Sequence, residues 1–517
     1  MAVNPVQRRL AELSQQWQAF LDLPEKRLLL WQVPDGGQRL LDAFFELQRH
    51  EPAGGGDASA GGASGVSGDT FIVFDAPFEQ AIAYSRALKH ALAGQYAASH
   101  DELRQAGQTP DWRFDPDEVP DTAAAFMRAL ASLAGHHAVF GHLVAVLSPA
   151  GVTDDEAWAA WVTRALEAGV PDGVRLLVAD VDSAPRLERL AEAGRPEVLV
   201  QALALDAWSV AQETFAQEPA VGPAGVFRNL LAGLFALAEK GSADQVLLKA
   251  RDTLAFAHRQ GWPDQEVAVR LLTAGVMLKE RRFDEAVNHY LHARTSAATA
   301  RAAGHPAGGQ LVLQSWFGEA AALLAAGKPK EAAACYQAAA ELADELPNPL
   351  MRIEALRMGT FCLAGAGETE AALAFGQPAL EVGERLRPAS RPMTTLALHC
   401  VEMLRLIEPG RVARIEAIRH ELDREQAHWR GRLDAHAAAL ESSGDAAGLR
   451  RIEQAHLDEG QALLDQALAR ADREASGGGA AFIALFERAR GLFGSAWPVG
   501  LAGAILPAPA KHEGAAA

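Results

Sequence analysis

The chain is poor in cysteine, in tyrosine and in positive charge. Its three cysteines, Cys335, Cys362 and Cys400, are an odd number spread over 517 residues without metal-ligand spacing. That argues against a disulfide framework or a cysteine zinc site; each lies in an apolar, helix-patterned stretch, the setting of a buried reduced thiol in a cytosolic protein. Lys and Arg number 48 against 66 Asp and Glu, a formal net charge of −18. A surface of that sign has no general affinity for nucleic-acid phosphates or anionic lipid. No charge-free apolar run reaches the ~18 residues of a membrane helix. The stretch Met1 to Leu23 carries Arg8, Arg9 and Glu12 where a secretory signal needs an uncharged core. The expectation is a cytoplasmic protein with no membrane span and no nucleic-acid partner.

Catalytic signatures are missing too. His136, His137 and His142 cluster without an HExxH pattern or cysteines, so no metal site is assigned. Gly65-Val66-Ser67-Gly68 lacks the strand-turn-helix setting of a nucleophile elbow. No general acid/base pair stands out, and no catalytic residue is assigned.

What is present is two kinds of periodicity, in a chain too long for one core. Five short apolar runs, beginning near Arg27, Thr70, His142, Val174 and Val198, alternate with amphipathic stretches up to about Asp206. Continuous apolar strands separated by helices predict a parallel sheet covered on both faces, an α/β doubly wound domain over residues 1–215. Two insertions interrupt it. Residues 52–69 are nearly all Gly, Ser and Ala and predict a flexible loop; the stretch from Gln108 to Pro120 is rich in Asp and Pro.

Beyond Pro223 the pattern is helical throughout and alanine-rich. Val246, Ala286, Ala332 and Ala372 recur at intervals of 40, 46 and 40 residues. Tyr290 and Tyr336 follow four residues after Ala286 and Ala332, with Ala293 and Ala339 three further on; the outer two copies lack the aromatic. A near-constant period of this length means stacked helical hairpins, here over residues 220–410. From Ile415 through Ile418, Leu422, Trp429, Leu433 and Leu440 one apolar stripe continues, and Ser442 to Asp445 predicts a turn, giving a long helical hairpin over 411–476. It caps the array or serves self-association. A short amphipathic helix and an apolar tail, with Trp497, Val499, Leu501, Ile505 and Leu506, occupy 477–517; such a tail docks on the repeats or on a partner.

FDEAVNHYLHA and KEAAACYQAAA resemble the second helix of a tetratricopeptide repeat, with small residues where two helices approach and an aromatic toward the next hairpin. The period exceeds that family's usual ~34 residues, so the resemblance is to a divergent, longer-hairpin member of the superfamily. The region 24–206 resembles in outline the nucleotide-binding core of AAA/STAND-type ATPases, which in many regulators precedes a helical repeat array. In a doubly wound domain nucleotides meet the carboxyl ends of the strands. The first junction there, Gln32 to Arg39, set against G-x-x-x-x-G-K-[ST], matches only its second glycine, Gly37; Gln32, Gln38 and Arg39 replace the first glycine, the lysine and the hydroxyl. Gly36, Gly37, Gln38 and Arg39 are the candidate nucleotide-binding residues, with Asp180 as the candidate magnesium-coordinating acid.

The expected function is a non-catalytic adaptor or scaffold that binds protein partners through the repeats, without a cofactor. Its candidate partner-facing residues, on the first helix of successive hairpins, are Arg270, Met277, Gln314, Trp316, Arg352, Arg357 and Met358. The alternative is a STAND-like switch regulated by ATP and Mg²⁺, a weak ATPase at most. A further alternative is a chaperone for a bacterial secretion-system effector.

Overall fold

The computed structural model describes residues 5–50, 68–105, 107–137, 141–203, 222–441 and 445–499. Most of the Gly/Ser loop and the tail residues Leu501, Ile505 and Leu506 lie outside them. The chain divides into two compact units, residues 1–217 with 425–461, and residues 218–424 with 462–517.

The first unit holds helix α1 (Pro5–Leu21), β1 (Leu28–Val33), α2 (Gln38–His50), β2 (Thr70–Phe74), α3 (Ala81–Ala98), α4 (His100–Gln105), α5 (Ala123–His136), β3 (Leu143–Leu147), α6 (Asp155–Glu167), β4 (Val174–Val181), α7 (Glu188–Glu192) and β5 (Val198–Ala202). Among the described residues five strands form one parallel sheet, in the order β2-β3-β4-β1-β5. The predicted α/β class holds, because runs such as Leu143–Leu147 are buried along their whole length and need cover on both faces. Alternate residues feed two cores. Leu29, Trp31, Val33, Val144 and Leu177 pack with Trp17, Phe20, Leu41 and Phe44 of α1 and α2. Leu28, Leu30, Phe74, Ala145 and Leu176 pack on the opposite face with α3, α5, α6 and α7.

The Asp/Pro-rich insertion is pinned from beneath. Fully buried Lys89 donates to the carbonyls of Pro116 and Val119, both at 2.7 Å, and pairs with Asp121 at 2.9 Å. A buried ammonium needs this full set of partners to offset its desolvation.

The stretch expected to form a long hairpin holds two long helices, α17 (Pro409–Glu441) and α18 (Ala446–Ser476); residues 442–444 of the expected turn lie outside the described residues, and the segment 425–461 belongs to the α/β unit. Leu433, Ala437 and Leu449 form a cluster with Ile82 of α3. Glu453, whose side chain is 9% exposed, accepts from Arg86 at 3.1 Å and from Gln80 at 3.3 Å, while Arg86 also binds Asp121 at 2.9 Å. Arg86→Ala should cost about 2 kcal/mol, since charge-assisted bonds to two shielded carboxylates are lost. Hydrogen exchange of residues 447–461 should accelerate by more than tenfold; unchanged protection there would show that the apolar contacts suffice.

The described residues of the second unit are helical apart from their connections. Its array comprises α8 (Gly222–Lys240), α9 (Ala243–Gln260), α10 (Pro263–Lys279), α11 (Phe283–Ala302), α12 (Gly308–Ala325), α13 (Pro329–Glu345), α14 (Pro349–Gly365), α15 (Thr369–Arg385) and α16 (Leu396–Ile407), closed by the base of the α17/α18 hairpin and by α19 (Ala480–Phe493). Sequence punctuation sets the boundaries: a Ser242–Gln245 capping box opens α9, Gly261 in the left-handed conformation ends it, and Pro263, Pro329 and Pro349 start later helices. The irregular 46-residue interval arises because α11 has 20 residues against 17 in α13 and is followed by the linker 303–307.

Close packing follows an exchange of volume between neighbouring helices. Tyr290 fills the space over Gly318, where a Cβ would lie 2.1 Å from its ring. At the corresponding position of the last hairpin the bulk is reversed: Gly376 leaves room for His399 of α16, whose Nε2 lies 3.1 Å from the Gly376 carbonyl. The missing aromatic is thus supplied from the next helix. Cys335, Cys362 and Cys400 are free and buried, and burial pushes the Cys400 thiol up to about 12. The tail docks as far as described: Trp497 and Val499 join the core, with Trp497 packed on Phe486. Among the described residues no helix is long and apolar enough to cross a membrane.

Candidate functional site

Two places follow from the sequence candidates. The first is the carboxyl edge of the sheet. From β1 the chain passes to α2 on one face, whereas from β4 it passes to α7 on the other. The strands are neighbours, so the crevice between their carboxyl ends is a topological switch point, where ligands of open α/β sheets bind.

Gly36, Gly37, Gln38 and Arg39 follow the carboxyl end of β1, and Asp180 lies near the carboxyl end of the neighbouring β4, but the local structure is compact. Gln32, in the first-glycine position, lies within β1 opposite Asp180, and its carbonyl accepts from the Leu203 amide at 2.8 Å. Only Pro34 to Gly37 separate strand from helix, folded as a turn closed by the Gly37 amide on the Pro34 carbonyl at 2.9 Å. Gly36 takes φ +83°, which this turn requires at its third residue. Gln38 donates to Asp42 at 2.9 Å, and Arg39 is exposed.

Buried Asp180 accepts from the amides of Arg186 at 2.9 Å and 3.0 Å and of Leu187 at 2.8 Å. Both carboxylate oxygens therefore brace the backbone of the loop that leads into α7. Opposite it, Ser183 donates to Asp35 at 2.6 Å. This pair was not legible in sequence, because only the β1–β4 pairing brings the two loops together. Asp35, Asp42, Asp180 and Asp182 outweigh Arg39 and Arg186 here.

The second place is the series of first helices in the hairpins, and here the structure sorts the candidates. Met277 is fully buried with Tyr290 and Ala286, so it is a core residue and not partner-facing; its spacing on α10 belongs to the inward stripe. Arg357 binds Glu354 at 2.7 Å and Glu402 at 3.2 Å with its side chain 14% exposed, bracing α14 against α16. Beside it Met358 is half-buried, and Arg352 pairs with Asp344. Gln314 is exposed, and half-buried Trp316 lies under the Arg294 guanidinium, 3.7 Å from the ring centroid. Arg294 is held in turn by Glu319 at 3.0 Å. Arg270 is half-buried. Phe361 of α14, not singled out from sequence, is 51% exposed. Nothing in a single sequence distinguishes this apolar residue from its buried neighbours Leu356 and Cys362.

No protein-family model matches the chain, and no curated protein matches it. Among solved structures it is similar to BtubC from P. vanneervenii, at 14% identity and a TM-score of 0.31, over 50% of this chain and 88% of that one. It is also similar to a signal transduction ATPase with numerous domains (STAND) bearing a tetratricopeptide repeat sensor, from Pyrococcus horikoshii. There the identity is 12% and the TM-score 0.21, over 92% of this chain and 85% of the other. At these scores neither fixes a family for this chain.

Proposed function

We propose that the chain is a non-catalytic adaptor that grips a protein partner with the first helices of its repeat array. The observation that carries this reading is the surface of α12 and α14. An exposed Phe361, a Trp316 stacked under Arg294 and an exposed Gln314 are presented on rigid helices. Aromatic residues and arginine on a rigid scaffold are what supplies the central energy of protein interfaces. Trp316→Ala combined with Phe361→Ala in the full chain should remove co-purifying partners while leaving the melting temperature within a few degrees of the wild type. Retention of every partner would sink this reading.

A second reading, the nucleotide-regulated switch, is favoured by one observation, the position of the β1–α2 turn at the switch point. Against it stand Gln38 where a phosphate lysine would be and an Asp180 whose oxygens already serve backbone amides. A ligand that binds only the folded state raises its stability in proportion to its occupancy. The adaptor should show no rise of Tm with millimolar ATP and Mg²⁺; a saturable rise of several degrees, lost in Arg39→Ala, would put the switch in its place.

A further inference from the structure

Within the segment 425–461, His436 of α17 and His456 of α18 turn ring nitrogens toward each other across two packed helices. The helices approach closely at this level: a Cβ at Gly460 would lie 3.2 Å from Cζ2 of Trp429. The Trp429 ring meets His456 edge to face at 6.1 Å between centroids, and the two imidazole centroids are 5.6 Å apart. His456 Nε2 and His436 Nδ1 are separated by 3.4 Å. That is long for an N–H hydrogen bond, for which about 2.9–3.0 Å is usual. Two nitrogens held by one tetrahedral zinc ion at about 2.0–2.1 Å are, by contrast, about 3.3–3.4 Å apart. The spacing suits a shared metal better than a shared proton. The surroundings agree with this. His436 is exposed, so the pair is open to solvent from the side of α17. His456 Nδ1 is buried without a hydrogen bond, and Glu459 Oε2 is 3.8 Å from it. A metal on Nε2 fixes the proton on Nδ1, where a small turn of the exposed Glu459 side chain lets it accept. Arg432, which would repel a cation, is bound to the other oxygen of Glu459.

We propose that His436 Nδ1 and His456 Nε2 form a two-histidine site for a divalent transition-metal ion of the zinc, nickel and copper class, which clips α17 to α18. Neutral imidazoles select such ions over Mg²⁺ and Ca²⁺, which take oxygen ligands. Among the described residues no group of three His, Cys, Asp or Glu side chains could hold a metal, so the protein supplies two ligands and water the others. Such a site binds more weakly than a structural zinc site with four protein ligands, and its occupancy follows the free metal concentration. An ion that binds only the packed pair stabilises the packing of the two helices. Positions 436 and 456 share no motif in the sequence, because only the packing of α18 on α17 brings them together.

The test uses the full chain, treated with EDTA and dialysed, with histidine labelled for NMR. Zn²⁺ is titrated at neutral pH, with Mg²⁺ as the control, and the His436 and His456 rings are assigned with His436→Gln and His456→Gln. Both rings should shift together and saturate at one ion per pair, with no response to Mg²⁺. Each glutamine variant should abolish the shift of the histidine that remains, with circular dichroism confirming that both variants fold. Glu459→Gln keeps both ligands and should weaken Zn²⁺ at this pair by about tenfold or more. The melting temperature should rise with Zn²⁺ further in the wild type than in either histidine variant, which cancels the contribution of histidines elsewhere. Three results would each overturn the assignment: no saturable shift with Zn²⁺, a shift of one ring without the other, or an undiminished His456 shift in His436→Gln. The last two would mean that single imidazoles take up the ion independently.

Discussion

Gly376→Tyr, which restores the aromatic that the two central repeats carry, should unfold the C-terminal end of the array and not improve it. A Cβ at Gly376 would lie 2.9 Å from His399 Cε1, from His399 Nε2 and from Thr360 Oγ1, before any ring is added. None of the three can withdraw freely. His399 is fully buried and held by the Gly376 carbonyl, and the Thr360 hydroxyl donates to the Leu356 carbonyl at 2.8 Å. Overpacking on this scale, together with the lost hydrogen bond, should cost about 4 kcal/mol or more. Urea denaturation followed by circular dichroism measures it. The same change at Gly275, on α10 of the same array with nothing within 4 Å of its Cβ, should be close to neutral. Equal losses at the two positions would show that the exchange of volume with His399 does not govern the site, since tyrosine exceeds glycine in helix propensity and propensity alone predicts a gain at both. Adding His399→Gly to Gly376→Tyr should recover part of the loss, a coupling that only direct contact produces.

Acidification should weaken the same end of the molecule, and His399 is again the cause. Its Nε2–H donates to the Gly376 carbonyl at 3.1 Å, and its Nδ1 is buried without a partner, so a proton added there would find no acceptor. Burial depresses its pKa to about 4; Arg357 adds to the shift, and the Gly376 carbonyl and Glu354 oppose it. The unfolded chain takes up its proton near the ordinary histidine value of ~6.5. Below that pH the unfolded state binds more protons than the folded one. The stabilisation, complete above the unfolded value, is therefore lost as pH falls toward about 4, by about 3 kcal/mol in all.

Nearby carboxylates modify the profile below pH 5. Burial works to raise the Glu354 pKa, but hydrogen bonds from Arg357 and Thr395 hold it below the ordinary range, which adds to the acid loss. Burial raises the Glu402 pKa, which opposes it. His399→Gln keeps a donor for the Gly376 carbonyl and removes the titration. Its unfolding free energy should lose most of the slope between pH 6.5 and pH 4.5, and a slope identical to the wild type would assign the effect to other groups.

Both predictions concern a contact that no repeat alignment reveals. Ala372, Gly376 and Ala379 follow the spacing of the neighbouring repeats, and in sequence Gly376 is merely a repeat without its aromatic. That His399 occupies the vacated space depends on α16 packing beside α15, a tertiary relation between positions 23 residues apart. Met277 fails for the opposite reason. Its position within a helix was legible, but which side of α10 faces inward is set by α11 and its neighbours, and the helix is apolar on more than one side.

The carboxyl edge of the sheet shows the same division. The strand runs and the replacement of lysine by Gln38 are written in the order of residues. The Ser183–Asp35 hydrogen bond required the loops of β1 and β4 to be placed side by side, and the bracing of the loop before α7 by Asp180 required that loop to fold back on its strand.

By itself the sequence determined the local elements, because apolar periodicity, Pro, Gly and capping residues act within a few positions of one another. It determined the parallel α/β class and the helical array that follows. Only the tertiary structure decided which face of each helix is core, that the segment holding Leu433, Leu449 and Glu453 completes the α/β unit, and that His436 meets His456. Burial and hydrogen-bond satisfaction are properties of neighbours in space, and a chain of 517 residues does not order its neighbours along the sequence.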